Sequence, residues 1–201
     1  MIDYLTHYYD FRTAPFQSLS ALPDTEAIRI MQALYEEDSV LLERFKDPAD
    51  YLQNRRKTEQ WVREQFILKG GQPRQDYPYY MVLGQSRWIH KYAGDTPSQI
   101  RIPISIFSEC DVSFTYPDSM ISLWFALDKP AEYILPEYYG KVFTLSEILE
   151  IVETSGMPEE DDWQTSFPED LAPYIEAQVW NPVPLLAYRN SQDSPRTTSF
   201  F

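Results

Sequence analysis

The order of apolar and polar residues predicts an amphipathic helix near the start of the chain. Between residues 23 and 37, apolar side chains recur three and four positions apart, at Ala27, Ile30, Met31 and Leu34. This spacing places them on one face of a helix. Pro23 and Asp24 commonly precede or begin helices, so we expect the helix to start there.

A second, longer helix is predicted after it. Asp47 can accept hydrogen bonds from first-turn amides, Pro48 lacks only a donor that a first turn does not need, and Gly70 with Gly71 ends the segment. The helix should run for about five to six turns. Its apolar face, formed by Tyr51, Leu52, Val62 and Phe66, carries Arg55 and Glu59 in its middle.

The middle of the chain changes to the period of strands. Residues 79–83 are a continuous apolar run, as in an inner strand, and residues 100–106 alternate isoleucine with other residues. Pro103 cannot donate to a neighbouring strand, which predicts an edge strand or a bulge. Residues 112–116 alternate in the same way, whereas MISLWFAL, residues 120–127, fits either a strand or a helix.

Residues 76–92 are dense in aromatic side chains. Residues 87–92 alternate so that Trp88, His90 and Tyr92 share one face, which predicts a hairpin with residues 79–83. The rings are then packing residues. The alternative is that these three side chains line a concave binding surface.

Towards the end, the sequence predicts one strand-helix unit. Residues 141–144 fit a short strand, and Thr144 with Glu147 three positions later has the form of a capping box. Gly156 ends the helix. The later prolines predict extended or irregular structure with a short helix near residues 172–177, followed by a tail that could dock on this chain or a neighbour.

Together these elements predict a single α+β domain. We expect helices over about residues 20–70, an antiparallel sheet of four to six strands over about 77–127, and a β-α unit with a proline-rich tail over about 131–201. The chain of 201 residues is long enough for one core.

Charge is strongly negative and unevenly distributed. The formal net charge is -14, which makes nucleic acid and anionic membranes poor partners. Residues 44–74 carry eight cations against four acids, while residues 109–170 carry two against fifteen. This asymmetry could orient a basic partner or hold the two halves together, or it could be a solvated acidic face. The chain has no apolar run of about 18 residues and no secretory signal, so we expect a cytoplasmic protein.

Four strings, PFQSLSALP, KDPADYLQNRR, DVSFTYPDSM and YGKVFTLSEI, resemble segments of an uncharacterised group of bacterial hypothetical proteins. The resemblance implies a bacterial source and no particular activity.

Common catalytic and metal motifs are absent from the sequence. His7, His90 and Cys110 show no ligand spacing, so we expect no metal site. Six glycines form neither a phosphate loop nor a dinucleotide fingerprint, and we expect no cofactor. Cys110 lies between two acids, which favours a turn or buried role over a nucleophile. His7, within YLTHYYDFR, is typical of packing.

The Arg55–Glu59 pair is the main candidate site. If the helix face is buried, both charges have left water, which is costly unless they are paired. They form a structural ion pair, or Arg55 clamps a carboxylate or phosphate with Glu59, His90, Trp88 and Tyr92 nearby.

Three functional hypotheses follow from these observations. The favoured one is a non-catalytic module that binds a basic protein partner. The alternative is an enzyme or sensor for a small anionic ligand held by Arg55. A third option is a homodimer formed through the C-terminal tail.

Overall fold

The computed structural model describes residues 2–10, 12–40, 42–86, 89, 98–128, 138–157 and 174–190. These residues form an antiparallel six-stranded sheet with helices packed on both faces, which confirms the α+β class. The strands are β1 (Tyr4–Tyr9), β2 (Tyr79–Leu83), β3 (Ser98–Pro103), β4 (Val112–Thr115), β5 (Val142–Phe143) and β6 (Glu176–Val179). The helices are α1 (Asp24–Glu37), α2 (Pro48–Leu68), α3 (Ser119–Asp128), α4 (Leu145–Ser155) and α5 (Leu186–Asn190).

The sheet draws its strands from the whole chain. Their order is β3-β1-β2-β6-β4-β5. Strand β1, from the start of the sequence, therefore lies beside β2, and β6, from near its end, lies between β2 and β4 at the centre of the sheet. A sheet confined to residues 77–127 was therefore too narrow a prediction. The short helix predicted near residues 172–177 is also wrong, because β6 begins at Glu176 and pairs with both β2 and β4.

Several local predictions are confirmed. The side chain of Asp47 accepts from the amide of Asp50 at the start of α2, and Thr144 with Glu147 forms a capping box at the start of α4. Strand β3 lies at an edge and ends at Pro103. Residues 120–127, whose sequence fits either a strand or a helix, lie in helix α3.

The predicted hairpin between residues 79–83 and 87–92 is wrong. Both edges of β2 are already occupied, by β1 and by β6. Trp88, His90 and Tyr92 lie outside the described residues, as does the tail from residue 191. The dimer through that tail stays a prediction.

The two faces of the sheet differ in chemistry. One face is apolar and packs against α4: it buries Leu5, Leu83, Ile102, Phe114 and Val179 together with Ile148 of the helix. Because side chains alternate along strands, the opposite face carries Thr6, Tyr80, Thr115, Glu176 and Gln178. We call this opposite surface the polar face.

Helix α2 covers the polar face. Val62 and Phe66 pack with Val142 of β5 and with Trp180, and the helix also contacts α3. At its end the chain passes close to the ring of Phe66, where a Cβ on Gly71 would lie 2.4 Å from that ring. Glycine is therefore required at position 71. The polar face is thus buried beneath the helix that carries Arg55 and Glu59.

Candidate functional site

A cleft of about 590 Å³ opens where α2 and α3 meet the polar face. Its walls combine tyrosine rings with charged side chains from distant parts of the sequence. The tyrosines are Tyr8, Tyr51 and Tyr174, and the charged residues are Arg44, Asp47, Asp50, Arg55, Asp118 and Glu176. Tyr8, Glu176 and three α2 residues (Asp50, Tyr51 and Arg55) lie on regular elements, whereas Arg44, Asp47, Asp118 and Tyr174 lie in the segments that lead into α2, α3 and β6.

Arg55 lines this cleft. Its Nε donates to Glu59 Oε1 at 3.3 Å, and its guanidinium stacks over the ring of Tyr80 at 3.7 Å from the centroid. The predicted Arg55–Glu59 pair is confirmed. The side chain is 17% exposed, and its two terminal nitrogens make no hydrogen bond to the described part of the chain. Part of the guanidinium therefore faces the cleft.

Glu59 is the most deeply buried acid of the site, with 1% of its surface exposed. Its Oε1 also accepts from the hydroxyl of Tyr80 at 3.0 Å. Burial raises the pKa of Glu59, and Arg55 and the nearby Ser20 hydroxyl oppose that rise. Its Oε2 is buried without a hydrogen bond of ordinary geometry to the described residues. Burial also keeps the pKa of Tyr80 well above its ordinary value, so Tyr80 stays neutral and donates.

Asp118 caps α3 and faces the cleft. One oxygen, Oδ1, accepts from the amides of Met120 and Ile121 at 2.9 and 3.0 Å. Its other oxygen accepts no hydrogen bond from the described residues. Burial, followed by repulsion from Glu176, raises the pKa of Asp118 to about 6. The side chain keeps some exposure through the cleft while protein surrounds its other sides.

Glu176 has a similar arrangement on β6. The residue is 6% exposed, and its Oε1 accepts from the amide of Ser119 at 3.2 Å and from Gln178 Nε2 at 3.1 Å. Within the described chain, Oε2 accepts no hydrogen bond. Asp118 and Glu176 thus each have one oxygen held by fixed donors and one uncommitted oxygen.

A buried chain of hydrogen bonds holds Glu176 in place. Trp180 donates to Ser113, Ser113 donates to Gln178, and Gln178 donates to both Thr115 and Glu176. These side chains lie under α2, where unpaired polar groups would be costly. The network therefore fixes the orientation of the Glu176 carboxylate.

The charges of the site do not balance among the described residues. Three carboxylates, those of Glu59, Asp118 and Glu176, influence or contact a single guanidinium, that of Arg55. Buried charges are stable only when paired. Burial and repulsion from Glu176 outweigh the attraction of Arg55 and leave the pKa of Asp118 raised.

The structure brings together only part of the site predicted from sequence. Arg55 and Glu59 meet as expected, while His90, Trp88 and Tyr92 lie outside the described residues. Sequence reasoning missed Asp118 and Glu176. Asp118 had a usable signal, since an aspartate in a Pro-Asp-Ser turn before an apolar run is a typical N-cap; Glu176 had none beyond its alternation with Ile175 and Ala177.

His7 and Cys110, whose side chains could act in catalysis or metal binding, have structural roles. His7 accepts the amide of Phe16 at Nε2 and contacts the carbonyl oxygen of Tyr80 through Nδ1, and burial lowers its pKa to about 4. It is therefore neutral and packed, as its surroundings in the sequence indicate. Cys110 lies in a turn between Glu109 and Asp111, as expected.

Replacing Asp118 by asparagine should stabilise the protein at neutral pH. The folded-state pKa lies above the ordinary value, so the stability that protonated Asp118 contributes is complete below about pH 4 and is lost as pH rises through about 6. Asparagine caps helices equally well and never ionises. The Asp118→Asn variant should gain about 1 to 3 kcal/mol at neutral pH and little at about pH 4, measured by urea unfolding.

The matched control for that experiment is Asp3→Asn, at an exposed acid outside the cleft. Its stability should follow that of the native protein at every pH. A loss of stability in Asp118→Asn at neutral pH would show that the ionised carboxylate supports the fold, contrary to this account.

No protein family, curated protein or solved structure matches this chain. Within the described ranges, no helix combines the length and the apolar character needed to cross a membrane. In the same part of the chain, no three or more histidine, cysteine, aspartate or glutamate side chains are placed to hold a metal ion.

Proposed function

We propose that this protein is a binding module for a basic protein partner, and that the cleft receives a positively charged side chain of that partner. One observation carries the proposal: Asp118 and Glu176 each present an uncommitted carboxylate oxygen in the cleft, where the guanidinium of Arg55 is already bonded to Glu59. A cation placed between them would supply the missing charge.

The tyrosines of the cleft support a cationic ligand. Aromatic rings attract ammonium and guanidinium groups, and that attraction grows when the cation is desolvated. Burial keeps the pKa of Tyr174 well above its ordinary value, so its ring and hydroxyl are neutral next to the acids. At a separation of about 4 Å, opposite charges near a protein surface attract with about 4 kcal/mol. The cleft therefore offers both charge and contact area to a lysine- or arginine-like group.

The net charge of -14 supports the same class of partner. A negative far field raises the association rate of a basic protein and slows that of an acidic one, and salt screens the effect. The charge asymmetry along the chain also has a structural component, because Lys69, directly after α2, pairs with Glu147 of α4 at 2.7 Å. One cation of residues 44–74 thus pairs with an acid of residues 109–170.

The test uses short labelled peptides rich in lysine or in arginine, with binding followed by fluorescence polarisation. Asp118→Asn and Glu176→Gln should each weaken binding by about tenfold or more, because each removes one charge from the cation site. Glu36→Gln removes the same charge from an exposed position on α1 and should change affinity by less than about twofold. If all three variants weakened binding equally, the long-range field of the net charge would explain the interaction, and the cleft would not be the binding site.

A second candidate, an anionic ligand on Arg55, rests on the place of Arg55 in the cleft wall and on its two terminal nitrogens, which make no hydrogen bond to the described residues. The two candidates predict opposite signs for the same variants. Removing the charge of Asp118 or Glu176 should weaken a cation but strengthen an anion such as phosphate or acetate. A thermal-shift measurement with phosphate on the native protein and on both variants therefore decides between them.

A further inference from the structure

A small side pocket lies beside the cleft and shares four of its lining residues. It measures about 130 Å³ and lies over β1, β2 and the start of β6. Three tyrosines, aliphatic side chains and a single carboxylate form its walls: Thr6, Tyr8, Tyr80, Met81, Val82, Ile89, Tyr174 and Glu176. Glu176 lines both cavities, together with Tyr8, Ile89 and Tyr174.

The pocket has room for a small group. Its volume of about 130 Å³ is well above the roughly 10 to 15 Å³ that a single water molecule needs. A nitrogen bearing three methyl groups has four heavy atoms. The planar, branched guanidinium group carries five N–H donors and needs acceptors that a pocket of this composition does not provide.

The polar groups of the pocket are mostly committed to the protein. The hydroxyl of Thr6 donates to the carbonyl of Gly84, and the hydroxyl of Tyr8 accepts from the amide of Ser86. An unmodified ammonium needs about three acceptors. The pocket offers it chiefly the uncommitted oxygen of Glu176, a residue of which only 6% of the surface is exposed. A cation with few N–H donors therefore fits better than one with three.

Building on the proposed function, we infer that the side pocket binds a methylated ammonium group, with Glu176 as its counter-ion. Methyl groups spread the positive charge over an apolar surface, lower its hydration and suit contact with tyrosine rings. The remainder of the ligand would lie in the larger cleft, next to Asp118. The same chemistry occurs in a methylated lysine of a protein partner and in a small quaternary amine.

The first experiment titrates the native protein with tetramethylammonium, ammonium, guanidinium and the neutral isostere tert-butanol, with binding followed by calorimetry. Tetramethylammonium should bind at least about tenfold more tightly than the other three. Equal or tighter binding of ammonium, guanidinium or tert-butanol would overturn the inference. This series needs no variant and so does not depend on the folding of a mutant.

Two variants then test whether the ligand binds at Glu176. Glu176→Gln should lose the preference for tetramethylammonium, and Glu36→Gln, the same change at an exposed position, should keep it. A preference that survives in a folded Glu176→Gln protein would place the ligand elsewhere and overturn the inference.

Peptides distinguish a methylated protein from a small amine as the ligand, and they test the side-pocket inference separately from the proposed function. A peptide with trimethyllysine that binds more tightly than both its unmodified form and free tetramethylammonium supports methylated protein as the source; equal binding of the free ion supports a small amine. Tight binding of unmodified basic peptides through Asp118 and Glu176, without any preference for methylation, would overturn only the side-pocket inference. Failure of every cation would overturn the proposed function as well.

Discussion

Replacing Arg55 by methionine should lower the free energy of unfolding at neutral pH by about 3 to 5 kcal/mol. The substitution keeps most of the aliphatic length of the side chain but removes the guanidinium that Glu59, Tyr80 and Glu176 share. Burial alone would lower the pKa of Arg55, yet these neighbours raise it well above its ordinary value, so the residue is charged in the folded protein. Its loss leaves buried carboxylates without a cation.

The pH dependence identifies the cause. Without Arg55, the folded-state pKa values of the neighbouring acids should rise, because burial already raises those of Glu59 and Asp118 and the opposing positive charge is gone. Acids with raised folded-state pKa values stabilise the fold when protonated. The deficit of the Arg55→Met variant should therefore be largest at neutral pH and shrink towards about pH 4.5, as followed by urea unfolding.

Lys57→Met is the matched control on the same helix. Lys57 is exposed and has no ion pair among the described residues, so its replacement should change stability by less than about 0.5 kcal/mol. A deficit in Arg55→Met that is the same at every pH would point to lost packing over Tyr80 rather than to uncompensated carboxylates.

The sequence predicts α2 and its charged pair well because those signals are local. Asp47, Pro48 and the terminal glycines mark the helix ends, and the helical period alone places Arg55 and Glu59 on the buried face. Both facts depend on neighbours within a few turns. The same holds for Thr144 and Glu147, whose capping box needs only four residues of sequence.

The acids of the cleft could not be predicted from such signals. Asp118 and Glu176 are separated by more than fifty residues, and β6 brings them together only because it inserts between β2 and β4. The pattern of β6 is also unusual: Glu176 and Gln178 alternate with apolar residues as if exposed, yet both are buried. A polar position in an alternating strand predicts solvent, and here α2 takes the place of solvent. This is why a short helix could be predicted where the sheet has a central strand.

The second large effect is expected at Gln178, whose replacement by leucine should cost about 3 to 5 kcal/mol. Gln178 is fully buried and bonds to Ser113 at 2.8 Å, Thr115 at 2.9 Å and Glu176 at 3.1 Å. Leucine has a similar size but no polar atom, so three buried groups lose a partner at about 1 to 3 kcal/mol each, offset in part by the added apolar burial.

A double-mutant cycle shows whether the hydrogen bonds carry this cost. Thr115→Val removes the hydroxyl while keeping the shape, so it should cost less in the Gln178→Leu background than in the native protein, by about 0.5 to 3 kcal/mol of coupling. Gln99→Leu, the same substitution at an exposed position of the edge strand β3, should change stability little. Because Gln178 also holds Glu176, the variant should lose affinity for cations together with stability, whereas Asp118→Asn should lose affinity while gaining stability. If Gln178→Leu lowers stability and Asp118→Asn raises it, while both weaken cation binding, then Gln178 orients the site and Asp118 contacts the ligand. Additive effects of Gln178→Leu and Thr115→Val would instead assign the cost to packing.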